Sequence, residues 1–227
     1  MAPGRVCYHA AVAEGQEGAR VPMRVTILGG GLFGLAAAAV LAERGHSVTV
    51  HEADGIPAEK ASSRDISKAL RLEYGPATPT YAPWVLRARE GWIDLERRTG
   101  RTIYHETGYL AFAKRFQPGE FEYESWTGLA AMGLDVERVT PREAALRFPS
   151  FHLEGVEVCT FDPIGGWLDP MEALPALAEV ATRAGAEVRT GSRVEDPNAL
   201  PGDAVLVCAG PWLARLLPRL GMGVTIT

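Results

Sequence analysis

Residues 24–54 read RVTILGGGLFGLAAAAVLAERGHSVTVHEAD, and this stretch decides the fold. Arg24–Leu28 is a short β-branched run that stops at three glycines, the pattern of a buried strand ending in a tight turn. Leu32–Arg44 is filled with strong helix formers and halted by Gly45, and Ser47–Glu52 is strand-like again. Strand, turn, helix and strand within about 30 residues is the size of a βαβ unit. Across the turn, Gly29-Gly30-Gly31-Leu32-Phe33-Gly34 matches GxGxxG, with Gly29, Gly31 and Gly34 at the fixed positions. The first glycine permits the tight turn, the second lets a pyrophosphate approach the backbone, and the third lets helix pack closely on strand. The helix N-terminus adds free N–H groups and the positive end of its dipole. Glu52 follows 18 residues after Gly34, where a carboxylate can accept hydrogen bonds from a ribose hydroxyl pair and would repel a 2′-phosphate. The plain alternative is a glycine-rich structural turn; the strand before, the helix after and the acid beyond weigh against it. The fingerprint leaves NAD and FAD both open.

The rest of the chain is organised around this unit. Residues 57–73 are polar and serine-rich, and three prolines, Pro76, Pro79 and Pro83, then introduce a helix over Trp84–Arg98 with Val85, Ala88, Trp92 and Leu95 on one face. Thr102–Ala113 reads as two strands meeting at Gly108. A helix over Phe121–Met132, a strand near Val136, a short helix from Pro141 to Arg147 and a strand over Val156–Phe161 follow. Asp169-Pro170 opens a helix to about Ala184, Ala186–Thr190 and Ala204–Cys208 read as strands, and Cys208–Trp212 turns into a helix over Leu213–Leu217. The expectation is an α/β fold: a Rossmann-like dinucleotide-binding domain in two parts, residues 23–75 and 166–227, around an α+β substrate-type insertion over 76–165. A nicotinamide domain usually continues at once with further βα units, so this layout favours FAD over NAD. Residues 1–22 show no period and no apolar block, and are expected to be a flexible extension that limited proteolysis removes.

Composition narrows the function. The net charge of −5 and the absence of a basic run speak against nucleic acid, and no stretch reaches the roughly 20 apolar residues of a membrane span. Three widely spaced cysteines, Cys7, Cys159 and Cys208, without a CxxC, read as buried thiols of a reducing, cytoplasmic setting. The five histidines have no metal-ligand spacing, and no GxSxG elbow is present.

The opening stretch resembles that of FAD-dependent amine oxidoreductases of the D-amino-acid oxidase superfamily. Ala61-Ser62-Ser63-Arg64-Asp65-Ile66-Ser67-Lys68-Ala69-Leu70-Arg71, followed by Tyr74-Gly75, is similar to the sarcosine oxidase and N-methyl-amino-acid oxidase branch. Thr107–Leu110, Arg193–Asp196 and Cys208–Trp212 match later landmarks in order, so the resemblance covers about residues 23–220. It implies that the glycine motif, Gly29 to Gly34 with Gly30, Leu32 and Phe33 between, holds the FAD pyrophosphate, and that Glu52 takes the adenosine ribose. Ser62, Ser63 and the nearby Ser67 would lie along the cofactor's phosphates or ribityl chain, Val194 against the adenine, and Gly210 with Trp212 at the mouth of the cleft. Lys68 would stand beside the flavin ring and Arg71 would capture a substrate carboxylate. A cation at the flavin edge stabilises the anionic reduced ring, and a planar guanidinium suits a carboxylate. If the segment is instead a helix, both would lie on one solvated face.

The implied activity is oxidation of the C–N bond of an amino acid or N-methyl amine. Enzymes of the family continue well past the position of Thr227. Their remainder supplies more of the substrate-domain sheet, groups that help reduced flavin meet oxygen and, in the sarcosine oxidase branch, the cysteine that attaches to the flavin. The resemblance therefore implies an incomplete C-terminal side, which a further segment or a partner chain would complete. A non-catalytic FAD-binding portion is the main alternative, with an NAD-dependent dehydrogenase behind it.

Overall fold

A computed structural model describes residues 21–221; the expected N-terminal extension lies almost wholly outside them. The first strand, β1 (Arg24–Leu28), leads through the glycine turn into α1 (Leu32–Glu43) and back to β2 (Ser47–His51). A long loop then reaches β3 (Lys68–Leu70), and α2 (Thr78–Thr99) follows with Pro79 in its first turn. Next come β4 (Tyr104–His105), β5 (Tyr109–Ala113), α3 (Phe121–Ala131), β6 (Glu137–Val139) and α4 (Pro141–Arg147). The chain continues through β7 (Val158–Asp162), β8 (Gly166–Leu168), α5 (Pro170–Arg183) and β9 (Glu187–Arg189). It ends with β10 (Ala204–Val207) and the short α6 (Leu213–Leu216).

Among the described residues the strands form three sheets. The first is parallel throughout, in the order β10-β1-β2-β9, and matches a Rossmann-like layout in which the chain's far end returns to pair with its beginning. Val25, Ile27, Val48 and Val50 from its two central strands form one core with Ala38, Ala39 and Ala42 of α1 and Ala173, Ala176 and Val180 of α5. Alanines at the contact let α1 and α5 approach each other and the sheet closely. The second sheet, β3-β8-β4, and the third, β5-β7-β6, are antiparallel. The expected boundaries at 75/76 and 165/166 cut through the second sheet, since β3 precedes the insertion, β4 lies within it and β8 follows it.

Element types agree with the sequence reading almost everywhere; β3 and β8 are strands that it did not name. The strands flanking Gly108 do not form one hairpin. Gly108 has φ +78°, and the turn sends β4 to one antiparallel sheet and β5 to another. The segment carrying Lys68 and Arg71 is an extended strand and its continuation, not a helix, so the two cations do not share a helical face. Backbone pairing with β8 overrides the helical look of Ser67–Arg71. Among the described residues no helix is long and apolar enough to cross a membrane.

Candidate functional site

The site begins with the turn between β1 and α1. Gly29 has φ +112°, and a Cβ there would lie 2.4 Å from the Cys208 carbonyl oxygen, so both conformation and space demand glycine. A Cβ on Gly34 would come within 1.9 Å of the Gly29 carbonyl oxygen; this glycine seats α1 against the turn and faces no open space. Gly31 differs. It is the N-cap of α1 with φ −80° and ψ −171°, has no side chain of its own to cap the helix, and borders an open cleft. α1 thus presents its first-turn N–H groups and the positive end of its dipole to that cleft.

The cleft measures about 1020 Å³ and runs across the carboxyl ends of β1, β2 and β10. One side is Glu52, at the end of β2. It is buried and fixed by two backbone donors: the Gly30 N–H at 2.7 Å to Oε2 and the Asp54 N–H at 3.0 Å to Oε1. A carboxylate has about four acceptor positions, so capacity remains for a hydroxyl pair. Ser62 and Ser63 border the cleft from the loop before β3, and the Ser63 Oγ accepts the Leu32 N–H at 3.1 Å, tying that loop to the start of α1. Val194, Gly210, Trp212, Leu32 and Phe33 also line the cleft. Phe33 is 81% exposed, a large apolar ring presented to the opening.

These features suit a dinucleotide: a helix N-terminus whose N-cap is a glycine, the missing Cβ leaving the approach clear, and a fixed acid one strand away. Of the residues singled out from the sequence, the structure gathers Gly29, Gly31, Leu32, Phe33, Glu52, Ser62, Ser63, Lys68, Val194, Gly210 and Trp212 around one cleft. Gly30 and Gly34 serve its architecture from behind, Gly30 through its N–H to Glu52. Ser67 is exposed and does not line the cleft.

Lys68 and Arg71 are separated. Lys68 borders the cleft, and its Nζ pairs with Asp65 at 2.8 Å, which holds the Asp65 carboxyl below its ordinary range. Arg71 lies beyond β3 within a cage of three rings, with its guanidinium carbon 5.3 Å from the Tyr74 centroid, 5.7 Å from Tyr109 and 5.6 Å from Phe121. Among the described residues its guanidinium donates one long hydrogen bond, 3.3 Å to the Tyr109 hydroxyl, and makes no ion pair. Cation–π contact holds such a group while leaving its in-plane N–H donors free.

The sequence reading missed several residues of the cleft. His51 Nδ1 and the Ser192 hydroxyl lie 2.8 Å apart at its base, and burial, aided by Arg189, lowers the His51 pKa. Arg215 and Arg219, one helical turn apart, add two cations at the rim. Their i, i+4 spacing just after Trp212 was the available signal. Away from the cleft, Glu73 and Asp162 are buried carboxyls 89 positions apart in the chain, and nothing local in sequence connects them.

Comparison with known proteins agrees with this geometry. The family described as "DAO: FAD dependent oxidoreductase" matches residues 24–226. Monomeric sarcosine oxidase from Bacillus sp. (strain B-0618) is 27% identical over 215 residues, covering 89% of this chain and 55% of that protein. Peroxisomal sarcosine oxidase from Mus musculus is 28% identical, covering 86% and 52%. The chain spans about half the length of the curated relatives it matches. Among solved structures, NikD, titled an unusual amino acid oxidase essential for nikkomycin biosynthesis, superposes with a TM-score of 0.74 at 28% identity, covering 88% of this chain and 54% of that one. Glycine oxidase from Geobacillus kaustophilus gives a TM-score of 0.74 at 25% identity, covering 89% and 60%. Together the glycine cradle, the parallel sheet behind it and the match over residues 24–226 decide between the two dinucleotides left open by the fingerprint: the chain belongs to the DAO family of FAD-dependent oxidoreductases.

Proposed function

We propose that this chain carries the FAD site and part of the substrate site of an oxidoreductase acting on the C–N bond of an amino acid or N-methyl amine. The observation that carries this reading is the cleft itself, where glycine cradle, helix N-terminus, Glu52 and Lys68 border one space. Gly29, Gly31 and the first turn of α1 hold the pyrophosphate, and Glu52 holds the adenosine ribose. Ser62 and Ser63 meet the middle of the cofactor, Val194 the adenine, and Gly210 with Trp212 the outer edge. Bound there, FAD supplies the two-electron acceptor for the substrate's C–N bond. Lys68 places positive charge at one edge of the site, and the caged Arg71 offers paired N–H donors to a substrate carboxylate. Sarcosine oxidases and a glycine oxidase among the relatives support a small amino acid or N-methyl amino acid as substrate.

The test has two stages. FAD is titrated into the purified chain and followed by flavin fluorescence and visible absorbance, with saturable uptake expected; no uptake overturns the cofactor site. Candidate amines are then screened with peroxide detection. Arg71→Ala is expected to raise KM for carboxylate substrates by about tenfold or more, the loss of a charge-assisted pair, while FAD affinity stays within about twofold. Equal effects on both would remove the role given to Arg71. A second reading is that this chain binds FAD and a further segment or polypeptide completes catalysis. FAD uptake without turnover, restored by a partner, is its signature.

A further inference from the structure

The cage around Arg71 has a neighbour whose chemistry the cleft does not use. Glu73, two residues along the chain, is 1% exposed, and neither of its carboxyl oxygens has a hydrogen-bond partner. Facing it is Asp162 at the end of β7, fully buried, whose Oδ1 accepts the Ile164 N–H at 3.0 Å while Oδ2 has no partner. Two buried carboxyls with three oxygens left without a hydrogen-bond partner disfavour charge on both, so each holds its proton to higher pH than a free carboxyl does. The charged groups acting here are few. Arg71 favours an ionised Glu73, Asp162 opposes it, and Glu106, from the turn between β4 and β5, acts on Asp162. Burial, the largest influence on each, raises Glu73 to about 7 and Asp162 to about 6. A guanidinium with no ion pair among the described residues thus lies two positions from a buried acid that is neutral on one side of neutrality and charged on the other.

We propose that Glu73 is a positioning residue for Arg71: protonated, it leaves the guanidinium free for a substrate carboxylate, and ionised, it draws the guanidinium back as its own counter-ion. This rests on the carboxylate role given to Arg71 above. The ring cage makes the movement possible, since cation–π contacts tolerate a tilt that a bidentate ion pair would not. Loss of the Glu73 proton then competes directly with substrate. The residue is also well placed to report like-charge pressure from Asp162, which keeps it protonated to higher pH than burial alone.

The experiment measures acetate binding to the 227-residue chain between pH 6 and 8.5, read from the Arg71 side-chain Nε–H resonance, assigned by its loss in Arg71→Lys. Acetate affinity is expected to fall about tenfold across that range with a midpoint near 7 in the unaltered chain, a coupling of ordinary size. In Glu73→Gln it should stay level, at the value the unaltered chain shows at pH 6. Asp162→Asn removes the opposing carboxylate and should move the midpoint to lower pH, a second check that does not need the glutamine variant to fold. The same pH slope in Glu73→Gln, or an unmoved midpoint in Asp162→Asn, overturns the positioning role while leaving carboxylate capture intact. Acetate that never perturbs Arg71 at any pH overturns carboxylate capture itself, and this proposal with it.

Discussion

Gly31 has φ −80° and ψ −171°, a conformation any residue adopts, so its backbone does not require glycine. The nearest atom to a Cβ there is the Ser63 Oγ at 3.1 Å, the end of a small side chain that can give way. What excludes a side chain is the space it would take from whatever approaches the helix N-terminus. Gly34 is the reverse case, with a carbonyl oxygen 1.9 Å from its absent Cβ and no open space beside it. The two substitutions should therefore part company. Gly34→Ala is expected to destabilise the fold by roughly 3 kcal/mol, at the upper end of overpacking costs. Gly31→Ala should keep its stability within about 1 kcal/mol yet bind FAD at least tenfold more weakly. Urea unfolding beside FAD titration checks both, and loss of affinity without loss of stability is the mark of the cradle.

At the scale of elements, what was legible in the sequence was local. The β1–turn–α1–β2 unit is set by glycines whose steric reasons lie within a few residues or at one close contact, and its bounds were read nearly as found. Helix α4 is similarly local. The Thr140 Oγ1 accepts the Glu143 N–H at 3.2 Å, and the Glu143 carboxylate returns the bond to the Thr140 N–H at 2.9 Å. Thr140→Ala should cost about 1 kcal/mol, seen as a lower urea midpoint with unchanged slope, because α4 seats Ala144 against Cys159 of β7. Sheet membership was not legible. β3 and β8 are three residues each, too short for a period, and the two strands read as meeting at Gly108 go to different sheets, which only tertiary context decides. The parting of Lys68 from Arg71 follows from the same cause, as does the meeting of Glu73 with Asp162. Residues that depend on which sheet a strand joins cannot be placed by spacing alone.

At the scale of the whole molecule, the buried acids write themselves into stability. Folding raises Glu73 from its ordinary carboxylate value to about 7, so the folded chain holds this proton more tightly than the unfolded chain does. The sign follows: the contribution is intact at pH near 4, falls as pH climbs from about 4.5 towards 7, and is flat above that. Asp162 acts in the same direction over a lower window, up to about 6. Glu73→Gln should therefore match the unaltered chain at pH 4.5 and exceed it at pH 8 by up to about 3 kcal/mol, measured by denaturant unfolding at both pH values. A variant weaker than the parent at pH 8 would show that the carboxylate is instead satisfied when charged.

The first sheet has one further consequence, concerning time. β1 pairs with β2, about twenty residues on, and with β10, nearly 180 residues on, at a register running from Val25 opposite Ala204 to Leu28 opposite Val207. During synthesis, at about 5–20 residues per second, the opening strand waits some ten to forty seconds for its outer neighbour to be made. Until then the glycine turn lacks the Cys208 carbonyl that Gly29 packs against, and the cleft lacks its far wall. The nascent chain can fold its first βαβ unit early, but the cofactor's berth is finished only after β10 has been made.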